Sequence, residues 1–128
     1  MRGITFAALD PLHFGHTRLF KRAKKLCDEL IVCVSDDDYI RQVKNREPFI
    51  PIEGRLEVLR ELKCVDGVDI QTIEGKKPLV EKYKPDVIFV GDDWTPETFS
   101  GEGLGVKVIY LPYTKGMSST QIRWLQQS

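Results

Sequence analysis

The segment Asp10-Pro11-Leu12-His13-Phe14-Gly15-His16 sets two imidazoles three residues apart at the start of a basic amphipathic helix, directly after an apolar strand. In a parallel α/β sheet that junction receives phosphate, because the helix start offers unpaired amide donors and the positive end of its dipole. Two histidines facing one ligand can donate to phosphate oxygens and offset the charge that develops as a phosphorus centre becomes five-coordinate. Neither has to be a nucleophile: a substrate phosphate can attack the nucleotide itself, leaving the protein to align and stabilise. Gly15 leaves space for a phosphate beside the backbone. The bland alternative is a capped helix start with one structural histidine. A zinc site lacks its ligand set, since His13 and His16 are the only histidines and no cysteine partner is evident.

Other segments carry related chemistry, each with a plainer reading beside it. Arg41, Lys44 and Arg46 cluster between elements, where a basic loop could close over several phosphates or simply be solvated. Arg55 could reach a ligand, or with Glu61 could solvate a helix packed through Leu56 and Leu59. Gly91-Asp92-Asp93-Trp94 follows an apolar strand. There the glycine permits a sharp turn, and two acids with an indole can orient donors or organise a cation, or form a polar turn with an aromatic anchor. Ser118-Ser119-Thr120-Gln121 fits a capping box with Ser118 as the cap, and the same hydroxyls can face phosphate.

The elements that must position these groups follow from length and pattern. With 128 residues, 41% of them hydrophobic, the chain has material for one core and is expected to be a single nucleotide-binding domain over 1–128. Basic and acidic residues balance at nineteen each, so no global field gathers nucleic acid or an anionic membrane, and an anion must be held locally. Cys27, Cys33 and Cys64 lie in apolar contexts without a CxxC pair, as expected of buried thiols in a reducing compartment. No apolar run approaches the roughly 18–20 residues that cross a bilayer, and the amino end lacks a signal-peptide pattern, so a cytoplasmic location is expected.

Strands are predicted at 3–9, 30–34, 65–72, 86–90 and 106–111, and helices at 15–28, 36–43, 53–62, 78–84 and 118–126, with 95–104 ambiguous. The alternation predicts a Rossmann-like parallel five-stranded sheet, order 3-2-1-4-5, with helices on both faces. The ends of its first and fourth strands then meet at the switch point where open sheets bind ligands.

The segment from Phe6 to His16 resembles the HxGH signature of the nucleotidyltransferase superfamily, in particular its small cytidylyltransferases, most nearly the glycerol-3-phosphate cytidylyltransferases. The similarity continues through 22–26, 53–56, 91–94 and 114–120 in the expected order. It implies a cytidylyl transfer from CTP to a small phosphorylated alcohol, with Mg2+ assisting and pyrophosphate released. His13, His16 and Lys44 would be catalytic. Leu9, Asp10, Gly15, Ser118, Ser119 and Thr120 would hold the nucleotide. Arg46, Arg55, Asp92, Asp93, Trp94, Tyr113 and Lys115 would bind the acceptor or organise the site, with no protein-held metal. The resemblance also implies a homodimer, with no nucleic acid or membrane as partner. The chain departs from the pattern at Ala7-Ala8, where glycine and a hydroxyl residue are usual, and at Tyr113, where arginine is usual. Those departures motivate one alternative, a nucleotide-binding protein with weakened catalysis; a second is an ATP-dependent adenylyltransferase, because the sequence does not expose the backbone contacts that read a pyrimidine.

Overall fold

The computed structural model describes residues 1–112; the predicted last loop and helix, at 113–116 and 118–126, lie outside them. The strands β1 (Arg2–Ala7), β2 (Glu29–Ser35), β3 (Gly67–Gln71), β4 (Val87–Gly91) and β5 (Lys107–Leu111) form one parallel sheet. Their order is β3-β2-β1-β4-β5, as the alternation predicts. The helices are α1 (Phe14–Lys24), α2 (Asp37–Val43), α3 (Ile52–Arg60) and α4 (Lys77–Tyr83).

The continuous apolar runs exist because each strand serves two cores. In β2, Leu30, Val32 and Val34 pack with Leu19, Phe20 and Ala23 of α1 and Leu56 and Leu59 of α3. Ile31 and Cys33 point the other way, to Leu79 and Val80 of α4 and to Phe99. A sheet covered on both faces cannot alternate apolar with polar residues. Where β1 runs beside β4 there is no room for a side chain at Gly3, whose Cβ would fall 2.4 Å from the Phe89 ring. All three cysteines are free. Burial pushes the Cys33 thiol up to about 12, which makes it inert packing.

Boundaries differ from expectation where local geometry breaks the pattern. The first strand stops at Ala7, short of 9, because Leu9 turns the chain with a left-handed φ of 54°. The first helix stops at Lys24 rather than 28, since the amides of Leu26 and Cys27 bond back only three residues, to Ala23 and Lys24. The ambiguous stretch after Trp94 is a series of turns, pinned by the Thr95 amide on the Thr98 hydroxyl at 2.9 Å. Among the described residues no helix is long and apolar enough to cross a membrane.

Candidate active site

The carboxyl ends of the strands open into a cavity of about 570 Å3, walled by Thr5 to Leu9 at the end of β1 and just beyond it, Ser35, Gln71, Val90 and Gly91. That volume lies within the usual span of small-molecule sites, and its place is where parallel sheets bind ligands.

His16 stands on its wall, and His13 and Gly15 do not line it. The two histidines build the start of α1. Nδ1 of His13 accepts the Gly15 amide at 3.0 Å, and Nδ1 of His16 accepts the His13 amide at 3.2 Å. This is a capping box in which imidazole replaces the usual hydroxyl and carboxylate. Because each Nδ1 is an acceptor, each neutral ring carries its proton on Nε2. The rings lie 4.0 Å apart between centroids, and His16 stacks toward Phe20 at 6.4 Å. The capped helix start is present, and it is built by both rings, with His16 of the same pair on the cavity wall.

Burial, helped by His13, lowers the His16 imidazole from 6.5 to about 3, and burial lowers His13 as well. A folded ring that stays neutral while the unfolded ring protonates contributes full stability above pH 6.5, lost progressively as pH falls toward about 3. Denaturant unfolding at pH 7 and pH 4 is expected to show a loss of about 3 kcal/mol from His16 alone. The loss should be absent from His16→Asn, which cannot titrate; equal acid sensitivity in the variant would remove this account.

The loop between α2 and α3 is tied down by two buried charges. Asp10 is fully buried and accepts from the Phe49 amide at 2.9 Å, the Ile50 amide at 2.7 Å and Arg46 Nη1 at 2.7 Å. Burial works against its charge, yet those donors outweigh it and hold the carboxyl below its ordinary range. Arg55 is buried too. Its guanidinium donates to the carbonyls of Ile50 (2.9 Å), Ala8 (2.7 Å) and Ser35, and to Asp37 Oδ1 (2.7 Å). Arg55 therefore does not solvate α3, because it is buried, and it is not on the cavity wall; its contacts make it a brace that organises the site. Lys44 and Arg46, carried by the braced loop, are on that wall.

On the far side the turn after β4 contributes Asp93 and Trp94, while Asp92 lies outside the lining, its amide bonded to the Leu111 carbonyl at 2.8 Å. Burial, then the charge of Asp92, raises Asp93. Trp94 is 46% exposed and sits 6.4 Å from the Phe99 ring. Tyr113, Lys115, Ser118, Ser119 and Thr120 fall outside the described residues.

The profile of the cytidylyltransferase-like family matches residues 5–124. The chain belongs to that family. Among relatives of this cytidylyltransferase-like chain, the FAD synthase of Pyrococcus abyssi is 42% identical over 120 residues, covering 88% of this chain and 81% of its own. The glycerol-3-phosphate cytidylyltransferase of Staphylococcus aureus is 37% identical over 123 residues, covering 95% and 92%. The solved lipopolysaccharide core biosynthesis protein of Thermoplasma volcanium superposes with a TM-score of 0.77 at 29% identity, over 90% of this chain and 98% of that one. Two enzyme types thus match across most of the chain, the FAD synthase at the higher identity. The narrower expectation of a glycerol-3-phosphate enzyme gives way to the family as a whole.

Lys76, Gln71, Tyr39 and the rings of Phe6 and Phe99 all line the cavity. Lys76 had a usable signal: it precedes a helix that follows a parallel strand, and such junctions lie on the ligand-binding edge. As for magnesium, the described residues hold no group of three or more His, Cys, Asp or Glu able to cage an ion.

Proposed function

We propose that the chain transfers an adenylyl group from magnesium-bound ATP to a phosphorylated acceptor, and that the acceptor is FMN, giving FAD and pyrophosphate. The observation that carries this is the cavity in which His16, Lys44 and Arg46 share walls with Phe6, Tyr39, Trp94 and Phe99. Cationic and imidazole groups suit a triphosphate, and a half-exposed indole at the rim suits a flat ring. The likeness to FAD synthase from Pyrococcus abyssi supports the same choice.

In this reading an oxygen of the acceptor phosphate attacks the α-phosphorus, and the bond to the β-phosphate oxygen breaks, with the electron pair leaving on pyrophosphate. His16 donates its Nε2 proton as a hydrogen bond to the phosphate oxygens on which charge accumulates; it transfers no proton. His13 fixes the tautomer of that ring and adds its own Nε2 donor. Lys44 and Arg46 stabilise the triphosphate, and Leu9, Asp10 and Gly15 shape the turn that receives it. Ser118, Ser119 and Thr120 contact the same phosphates, with Lys115 supplying charge where Tyr113 cannot. Asp93 and Trp94 face the acceptor, with Asp92 organising their turn. The reading takes residues 1–128 as one domain and the protein as a cytoplasmic homodimer.

A second reading, cytidylyl transfer from CTP to glycerol 3-phosphate, is favoured by the Staphylococcus aureus relative, which matches over 95% of this chain. Incubating purified protein and magnesium with each pairing of ATP or CTP with FMN or glycerol 3-phosphate, and identifying products by mass, separates the two. FAD from ATP and FMN is the expected product. CDP-glycerol alone would select the second reading, and no product with any pair would leave only nucleotide binding.

A further inference from the structure

We infer that Gln71 and Ser35 recognise the uncharged polar end of the acceptor, and that in FMN this end is the pyrimidinedione edge of the ring, where a carbonyl stands beside an N–H. The identity of that edge rests on the adenylyl-transfer reading above; the need of these two side chains for a ligand does not.

Gln71 ends β3 and Ser35 ends β2, and the two stand side by side in the sheet register. Paired residues of adjacent strands share a face, and alternation along β2 puts Ser35 on the side of Ile31 and Cys33, in the core beneath α4. Gln71 is 2% exposed and Ser35 3%, and both line the cavity. Their backbones are pinned: the Gln71 carbonyl accepts the Asp36 amide at 3.0 Å, and the Ser35 carbonyl accepts from Arg55. Their side chains are not. Among the described residues no group is hydrogen-bonded to the Gln71 carboxamide or the Ser35 hydroxyl. Other polar groups on the wall differ: Lys76 Nζ donates to Ser100 Oγ at 2.8 Å against the rings of Phe6 and Phe99, and Arg46 pairs with Asp10. Buried polar side chains nearly always have a partner, because leaving one unmet costs free energy. Two such groups left unmet beside a ligand cavity gain their partner from the ligand.

The chemistry of the pair says which part of the ligand it meets. A carboxamide offers two N–H donors and a carbonyl acceptor, a hydroxyl offers one donor and two lone pairs, and neither carries charge. Phosphate oxygens go to the charged groups of the cavity; Gln71 and Ser35 suit a neutral group that presents a donor and an acceptor side by side. Phe6, in register with Cys33, lies on the same face and lines the same cavity, so a flat ring can lie along it with its polar edge on Gln71. The pyrimidinedione of FMN has that edge; the hydroxyls of glycerol 3-phosphate have the same donor and acceptor character without the ring. A site of this kind discriminates sharply, since an analogue lacking the N–H leaves the buried carbonyl unmet.

Gln71→Met keeps the length of the side chain and removes the amide. The wild-type protein is expected to favour FMN over N3-methyl FMN by about tenfold or more in acceptor KM. The methionine variant should lose affinity for FMN alone, bringing the two flavins within about threefold, while the nucleotide KM stays within about twofold. Ser35→Ala should give a smaller loss in the same direction. The unliganded protein separates recognition from packing: removing an unmet amide leaves the thermal midpoint unchanged or raises it, whereas removing one that serves the fold lowers it. An unchanged acceptor KM, an equal loss for both flavins, or a lowered midpoint without ligand overturns the assignment. If glycerol 3-phosphate is turned over instead of FMN, a rise in its KM for Gln71→Met with the nucleotide KM unmoved keeps the site, and the FMN reading alone fails. Where no pair is turned over, quenching of flavin fluorescence as protein is titrated into FMN decides: weaker binding by the variant supports the site, and equal or absent binding overturns it.

Discussion

Replacing His16 with asparagine is expected to lower kcat by about 10²–10³-fold while the protein stays folded, because it separates the two jobs of this imidazole. Asparagine Oδ1 takes the position of Nδ1 and still accepts the His13 amide, a bond of 3.2 Å, so the start of α1 remains capped. The Nε2 donor is gone, and removal of one such donor to developing charge costs about 2.7–4 kcal/mol in the transition state. Glutamine makes the reverse exchange, since its Nε2 reaches where the imidazole Nε2 lay while the cap is lost. His16→Gln should therefore recover part of the rate and give up roughly 1 kcal/mol of stability. Steady-state kinetics with denaturant unfolding at pH 7 checks both. Asparagine leaving kcat untouched would show that His16 is only a cap.

Arg55→Met is expected to destabilise the fold by about 3–5 kcal/mol, far more than a surface arginine would. Its guanidinium is buried and ties the carbonyls of Ala8 and Ser35, at the ends of β1 and β2, to the Ile50 carbonyl and to Asp37. Methionine fills much of the volume but leaves those acceptors and a carboxylate without the donor. Thermal unfolding in the absence of ligand measures the loss. A variant with wild-type stability and a raised acceptor KM would instead restore the substrate-recognition role that the sequence left open. Activity should fall too, because the loop carrying Lys44 and Arg46 is anchored by the same contacts. Asp10 reinforces that anchor through the Phe49 and Ile50 amides.

Much of this site was legible from local pattern. The spacing of His13 and His16 after an apolar strand placed a phosphate turn at the start of a helix, and the structure has both histidines there. The Arg41 to Arg46 cluster marked the basic loop, although only Lys44 and Arg46 reach the cavity; Arg41 is engaged with Asp38 and Glu47 at its surface. Asp92 and Asp93 could not be told apart in sequence, since adjacent residues at a strand end diverge according to how the turn closes. Lys76 was missed because its neighbours in space, Phe6, Phe99 and Ser100, are distant in the chain and a Lys-Lys pair reads as solvated surface.

The sequence by itself determined the sheet order, the two-faced burial of its strands and the position of the histidine turn. These follow from short-range periodicity and from the handedness of strand-helix-strand crossovers, which leave few topologies open. Only the tertiary structure decided that Asp10 and Arg55 hold the loop while His16, Lys44, Arg46 and Lys76 face one cavity. Whether a charge braces or binds depends on which carbonyls, amides and rings surround it, and those partners arrive from strands and loops tens of residues away.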